Sequence, residues 1–429
     1  MSALYGSVYV VLICIIYCLA IGDSKSRLLR LKLCGVVSIV YMLSALIFSY
    51  SFDNEEFFML NDPMTYIERT KSETLSFSAS MNYVRSCYFD FADNNALYNM
   101  LLNFTGIFYK KNYDGVTAYS LALTSVLFGI LSSITLFRII SRYFNDKKAY
   151  TYTLIFSILS LFHFYSVVVV RDVVVAFFYL LSIEIILKKR FTLVRLIMLI
   201  VIMLITWGVR LYSGLFLNLL ILFYVYTSIK RSGAIMVLLI PLLLITIGLL
   251  IYSSSSVIER SVDEIDLYSE FTYERASESH GLIYRLLVLP PVIKQIALTL
   301  YSQITPFPPH LSLLSSNTFS QYYMSTMVII YEVWWFSVSI SLLYILFIKR
   351  TFFTLPNNDK LLILIAYAFI IANTAHPDIR RMMPVYPILY LFYLIFKYKI
   401  FDLEWFKFKQ KQIMLAYISL LVLYVVLKG

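Results

Sequence analysis

The sequence predicts an all-α polytopic membrane protein. Of its 429 residues, 60% are hydrophobic and 14% are charged, and the mean hydropathy is +0.78. A water-soluble domain of this composition would have too few polar residues to cover its surface. Apolar runs also recur along the whole chain, at the length that an α-helix needs to cross a bilayer. We therefore expect residues 1–429 to form one integral membrane domain.

Apolar runs of about 16–25 residues predict about 12 transmembrane helices. The first run lacks the basic start and the small-residue cleavage pattern of a signal peptide, so we expect it to stay as a helix. The predicted spans are 3–21, 33–50, 116–138, 150–169, 172–187, 192–208, 212–228, 234–252, 325–348, 360–375, 382–396 and 412–427.

Charge in the connections predicts the orientation of these spans. The short connections that follow every odd-numbered span carry more than half of the 36 Lys and Arg residues. By the positive-inside rule, these connections face the cytoplasm, and both chain termini point outward. Because such loops account for the net charge of +11, we do not expect nucleic acid as a partner.

Two long segments, 51–115 and 253–324, fall on the predicted outer side of the membrane. Long connections in compact proteins usually carry function. Within them, the stretches 95–109 and 284–304 are apolar but too short to span, and Pro290-Pro291 interrupts the second. We expect amphipathic or re-entrant helices there, which could cover a lateral opening to the lipid.

Two residues of the outer side are candidate general bases. Asp62 precedes Pro63 and stands four residues before Tyr66, so a helix that begins at the proline would direct Asp62 and Tyr66 to one cavity. The carboxylate could accept a proton from a sugar hydroxyl. Equally, Asp62 could simply cap the helix. His376, in the last outer hairpin, could accept a proton near neutral pH and is the second candidate, although a loop histidine is often only solvated.

Arginines at the predicted outer border are candidate phosphate ligands. A guanidinium stays charged and donates two parallel hydrogen bonds to a phosphate. Asp172 follows the first of these arginines and could orient it. The alternative is that these charges anchor helix ends among lipid headgroups. The arginines are Arg171, Arg210, Arg285, Arg380 and Arg381.

Glu332 and Tyr386 complete the candidate site. Glu332 falls about 10 Å inside the outer end of its predicted helix at 1.5 Å per residue. A carboxylate at that depth is costly, so it should face a polar cavity or pair with an arginine. Tyr386, like Tyr66, is a candidate for the wall of a sugar-binding cleft, although an interfacial aromatic belt explains most tyrosines.

Metal and nucleotide chemistry are not expected. The sequence has no Gly-rich phosphate loop, no paired-cysteine motif and no HExxH. Its four histidines are scattered along the chain, and its four cysteines are too few for a disulfide framework. We therefore predict no cofactor and no metal.

The order of these features resembles a known family. The basic turn from Lys25 to Lys32, Asp62-Pro63-x-x-Tyr66, the Arg171-Asp172 hairpin and the terminal Arg380-Arg381-x-x-Pro384-x-x-Pro387 are similar to those of bacterial Wzy-type O-antigen polymerases and EpsG-like exopolysaccharide polymerases. The resemblance implies a GT-C-like glycosyltransferase of the inner membrane. Such an enzyme transfers the growing glycan from undecaprenyl diphosphate to the next lipid-linked repeat unit at the periplasmic face.

Other expectations follow from this resemblance. The partners would be the undecaprenyl-diphosphate-linked oligosaccharide, membrane lipids and a polysaccharide chain-length regulator. An O-antigen ligase uses a similar donor with a lipid-core acceptor and remains an alternative. A lipid-linked oligosaccharide flippase or another transporter is the alternative from a different class, and it would place charged residues deep in several helices.

Overall fold

A computed structural model describes most of the chain, and all regular structure in that part is helical. The described residues are 2–21, 24–53, 66, 97–102, 118–188, 192–210, 213–214, 216–222, 282–303, 318–349, 351–373 and 379–428. The principal helices are α1 (Ser2–Ala20), α2 (Arg27–Asp53), α3 (Ala118–Ile140), α4 (Asp146–Leu159), α5 (Leu161–Val167), α6 (Asp172–Ile186), α7 (Leu193–Val209), α8 (Leu282–Leu287), α9 (Pro291–Ser302), α10 (Phe319–Leu343), α11 (Asn357–Asn373), α12 (Tyr386–Ile395) and α13 (Leu403–Lys428). Short 3-10 turns Ser24–Ser26, Thr351–Thr354 and Ile379–Val385, and π turns Tyr344–Ile348 and Phe396–Ile400, join or extend them.

Three helical stretches in the described part are long and apolar enough to cross a membrane. They are Ser24–Tyr50, Ala118–Ile140 and Phe319–Phe347. The pair formed by α4 and α5 passes the same test if it is counted as one broken span, with a 63° bend between its helices. The chain is thus a helical protein whose composition and helix lengths indicate membrane association.

The other predicted spans are less complete in the structure. Helices α6 and α7 have 15 and 17 residues, fewer than a straight span needs. Of the predicted spans 212–228 and 234–252, the first is described only in part and the second lies outside the described residues. The total of twelve spans and the GT-C-like arrangement therefore stay predictions.

Helix α3 lies at the centre of the packing. It contacts α1, α2, α4, α5 and α6, and nearly all of its residues are buried. Small residues recur along it, which lets neighbouring backbones approach closely in a membrane protein. At Gly129, a Cβ atom would lie only 2.6 Å from the Ser166 Oγ of α5 and 2.9 Å from the Tyr41 ring of α2. Glycine is therefore the side chain that this three-helix contact allows.

The predicted span 150–169 is broken in the structure. Ser160 ends α4 and begins α5 with extended backbone angles, φ −104° and ψ 162°. Its hydroxyl accepts a hydrogen bond from the Phe162 N–H at 3.2 Å. Phe162 is in the first turn of α5, where the N–H groups have no acceptor within the helix. The sequence shows only a continuous apolar run here, and hydrophobicity alone does not reveal a serine that caps.

The long segment 253–324 contains the short helices α8 and α9 among its described residues. The interruption falls where the prolines predict it: Pro290 is extended and Pro291 is the first residue of α9. The Gln295 side chain donates to the Ile371 carbonyl of α11 at 2.8 Å, so α9 is fastened to the end of that helix. How α8 and α9 sit relative to a bilayer stays a prediction.

Candidate substrate-binding site

The Arg210 guanidinium donates from Nη1 to Oδ1 of Asp172 in a buried ion pair. Asp172 is the first residue of α6, and Arg210 directly follows the last residue of α7. The two helices pack against each other and run in opposite directions, so these two ends meet. Both side chains are almost fully buried, at 4% and 2% exposed. Two charges are held away from water only when they are well paired.

The local sequence explains why the two charges occupy helix ends. A carboxylate in the first turn of α6 interacts favourably with the positive end of the helix dipole, and a cation after the last turn of α7 with the negative end. The Arg210 N–H bonds the Thr206 carbonyl at 2.8 Å, and its own carbonyl accepts from the Gly214 N–H at 3.2 Å. Arg210 is therefore fixed by its backbone as well as by Asp172.

Tyr66 and Tyr98, from the long segment 51–115, lie near Arg171 and Asp172. Their rings are 5.0 Å apart at an interplanar angle of 77°, and both residues are buried. Burial raises the pKa of the Tyr98 phenol well above its ordinary value. Tyr66 and Asp172 raise the pKa of Tyr98 further, whereas Arg171 lowers it. The structure thus groups four predicted residues, Tyr66, Arg171, Asp172 and Arg210, and adds Tyr98, which the sequence analysis had not selected.

The 3-10 turn Ile379–Val385 carries the backbone of Arg380 and Arg381 to the same helices. It packs against α5 and α6, the two helices whose junction is residues 168–171. Pro384 lies inside this turn, and a proline at that position prevents it from continuing as an α-helix. The turn that contains Arg380 and Arg381 therefore packs against the two helices that Arg171 connects.

Glu332 and Tyr386 lie together in a second cluster, between α10, α12 and α13. The Glu332 carboxylate is buried and accepts a hydrogen bond at Oε1 from the Tyr417 hydroxyl of α13 at 3.0 Å. Its Oε2 atom has no hydrogen-bond partner among the described residues. The neighbouring Trp335 ring is 4.0 Å from the ring of Tyr386. The expected pairing of Glu332 with an arginine is not seen in the described part of the chain.

Glu332 is deeper in its helix than the sequence predicts. Helix α10 begins at Phe319 rather than at residue 325, because the Thr318 side chain accepts from the Gln321 N–H and caps the helix earlier. At 1.5 Å per residue, Glu332 lies about 20 Å from that start. It belongs to the interior of the helix bundle and not to its border.

The remaining predicted residues are placed as follows. Arg285 is exposed on α8, which packs on α9, and no described contact brings it to the Asp172–Arg210 pair. Asp62 and His376 lie outside the described residues. Within the described residues, no three His, Cys, Asp or Glu side chains are grouped as metal ligands would be. The choice of general base and the absence of a metal remain predictions.

A buried histidine network escaped the sequence analysis. His163 of α5 lies 3.0 Å from the Ser44 hydroxyl through Nε2, and its Nδ1 lies 2.5 Å from the Tyr331 hydroxyl and 3.2 Å from the Ile158 carbonyl. His163 thereby ties α5 to α2 and α10. A histidine within an apolar run is the signal that could have revealed it.

An apolar cavity of about 670 Å³ lies between α9, α10 and α11. Its wall includes Ile296, Leu300, Phe347, Tyr367 and Ile371. A cavity of this size lined by hydrocarbon side chains is suited to an apolar chain. It adjoins the helix α9 that the sequence predicts at a lateral opening.

Gly214 is required by the side chain that packs over it. A Cβ atom at Gly214 would lie 1.5 Å from Cδ1 of Trp207, so alanine would force the indole away. We expect Gly214→Ala to destabilise the fold by about 1–3 kcal/mol, as overpacking does, and to reduce activity because Arg210 lies between these two residues. Thermal unfolding of the purified variant measures the first effect. Gly35→Ala is the control: nothing lies within 4 Å of a Cβ there, so stability should be unchanged or slightly higher.

Comparison of the chain with protein-family models, curated proteins and solved structures finds no match. The family resemblance thus rests on the residues quoted from the sequence. What the described structure adds is the grouping of Arg171, Asp172 and Arg210 beside the turn that contains Arg380 and Arg381.

Proposed function

We propose that this protein is an O-antigen or related surface-polysaccharide polymerase. It would be a GT-C-like enzyme of the bacterial inner membrane with about twelve spans and a periplasmic active site. The donor is the growing glycan on undecaprenyl diphosphate, and the acceptor is the next lipid-linked repeat unit. The observation that carries the proposal is the buried Asp172–Arg210 pair next to Arg171 and the Arg380-Arg381 turn.

The chemistry of the reaction explains why arginines would be concentrated there. The acceptor hydroxyl oxygen forms a bond to the anomeric carbon while the bond from that carbon to the diphosphate oxygen breaks, and the electron pair leaves with the diphosphate. Negative charge therefore grows on the leaving group in the transition state. Arginines that are already held in place, in a site that excludes water, therefore stabilise the transition state more than they stabilise the ground state.

Each residue of the site has a proposed role. Arg171, Arg210, Arg380 and Arg381 bind the diphosphate, and Asp172 positions Arg210 through their ion pair. Asp62 or His376 accepts the proton of the attacking hydroxyl. The lipid diphosphate is itself the activated group, so the transfer consumes no nucleotide. In the same proposal, the apolar cavity beside α9 receives hydrocarbon, Tyr66 lines the sugar cleft, and a chain-length regulator docks on the helices.

Glu332 favours a second candidate, a transporter of lipid-linked oligosaccharide. A carboxylate buried in the interior of a helix bundle is costly and often marks a proton or substrate pathway. His163, buried among α2, α5 and α10, is a further titratable side chain inside the helix bundle. These two features fit transport better than transfer at the outer face.

The experiment that tests the proposal uses the purified full-length protein in nanodiscs with its lipid-linked repeat unit, without nucleotide sugar or metal. We expect a ladder of products spaced by one repeat on gels and in mass spectra. Single units that move only onto an added core lipid would indicate a ligase. If units stay single in nanodiscs but cross the bilayer when the protein is reconstituted in vesicles, the transporter replaces the polymerase.

A further inference from the structure

Another charged cluster surrounds Glu184, at the C-terminal ends of α3 and α6. Asp172 lies at the other end of α6. The Glu184 side chain is 2% exposed, and its Oε1 atom lies 2.7 Å from Arg138, 3.5 Å from Arg142 and 3.8 Å from Lys188. Arg142 also donates to the Glu184 main-chain carbonyl at 3.2 Å. One carboxylate thus faces three cations, which leaves two positive charges in excess within this group.

The cations of this cluster repel one another. Burial is the largest cause that lowers the pKa of Lys188, and Arg138, Arg142 and Arg195 lower it further, while Glu184 alone raises it. The pKa of Arg142 is likewise lowered by burial, by Arg138 and by Arg195. A fourth cation, Arg195, therefore contributes to the same positive potential.

No further described acid neutralises the group. Burial, and after it Asp359 of α11, raise the pKa of the Tyr143 phenol to about 12, so Asp359 lies near this border. The carboxyl pKa of Asp359 is itself raised by burial, and no cation lowers it. Asp359 is therefore not a counter-ion of Arg138, Arg142 or Lys188.

The cluster is open to a ligand from outside the protein. The side chains of Arg138, Arg142 and Lys188 are 14%, 27% and 41% exposed. They lie where α3 and α6 end, at the border that the charge pattern predicts to be cytoplasmic. Lipid phosphate groups are found at such a border, and basic pockets between helices on that side bind anionic headgroups.

We propose that Arg138, Arg142 and Lys188 form a binding site for a phosphate group, supplied by the headgroup of an anionic phospholipid. The two guanidinium groups donate paired hydrogen bonds to the phosphate oxygens, and the ammonium adds a third charge. Glu184 holds the three cations together in the absence of the anion. This site is separate from the diphosphate site and does not depend on the polymerase proposal.

The test compares lipid binding by the wild type and by Arg142→Gln/Lys188→Gln, which keeps the close Arg138–Glu184 contact. Native mass spectrometry would count retained lipids, and thermal unfolding in micelles would be followed with phosphatidylglycerol, phosphatidylcholine or inorganic phosphate. We expect phosphatidylglycerol to bind and stabilise the wild type in preference to phosphatidylcholine. The double variant should bind it about thirtyfold more weakly, since it lacks two basic groups and each contributes about 1 kcal/mol at the surface.

The matched control is Lys147→Gln/Lys148→Gln. It removes the same charge from exposed residues at the same border, away from Glu184, and it should keep the wild-type affinity. If the double variant is not recovered in folded form, Lys188→Gln replaces it, because Lys188 is the most exposed of the three and its loss should disturb the fold least. This single variant should bind phosphatidylglycerol several-fold more weakly than the wild type. Stabilisation by inorganic phosphate alone would assign the site to a phosphate from solution. Equal binding of both lipids by the wild type, or an equal loss in the control, would overturn the proposal.

Discussion

Arg210→Ala and Arg381→Ala should each abolish polymer formation in cells. Arg381→Ala should leave the protein inserted and abundant, whereas Arg210→Ala also leaves the Asp172 carboxylate buried without its partner and should lower the amount of folded protein. If Arg210 stabilises the departing diphosphate, its loss should slow the transfer by at least about a hundredfold, the usual effect of removing one such donor. Arg381 occupies the turn beside α6, so its loss should act on the same step. The measurement is the length distribution of surface polysaccharide, with the amount of folded protein followed by fluorescence-detected gel filtration.

Two further variants make this result specific. Arg210→Lys keeps the charge but loses the planar fork, so it should leave activity well below that of the wild type. Arg27→Ala removes an exposed arginine at the start of α2, on the predicted cytoplasmic side, and polymer length should not change. If both Arg210→Ala and Arg381→Ala made polymer of near-normal length, the proposal that these arginines bind the diphosphate would be wrong.

The two arginine hairpins show how far the sequence could predict the site. Charges between long apolar runs placed Arg171, Asp172 and Arg210 at one border, and the structure brings Asp172 and Arg210 together there. The sequence assigned Asp172 to its neighbour Arg171. In the structure, its carboxylate receives the guanidinium of Arg210, 38 residues away. Adjacent residues on a helix point in different directions, so a partner on the next helix is favoured.

Features that depend on distant contacts were beyond sequence reasoning. The His163 network joins residues separated by 119 and 168 positions, and no local pattern encodes that pairing. The break at Ser160 and the early start of α10 depend on single hydroxyl groups that cap helices. The mean hydropathy of a run does not detect such groups. Helix positions are thus more predictable than their exact ends, and ends are where the candidate sites lie.

Asp172→Ala should destabilise the protein strongly, by about 3–5 kcal/mol, because it leaves the Arg210 charge buried without its carboxylate. The double variant Asp172→Ala/Arg210→Met removes both charges and should recover much of that stability. Thermal unfolding midpoints of the wild type, Asp172→Ala, Arg210→Met and the double variant give the coupling between the residues.

The same four proteins separate a structural pair from a functional one. If Asp172 and Arg210 only fasten α6 to α7, activity should return together with stability in the double variant. If Arg210 binds the diphosphate, the double variant should be folded and stable yet form no polymer. We expect the second result, because an apolar side chain at position 210 can fill the space of arginine but cannot offset the charge that develops on the leaving diphosphate. Polymer of normal length from a stable double variant would show that the pair only stabilises the packing of α6 against α7 and that the diphosphate site lies elsewhere.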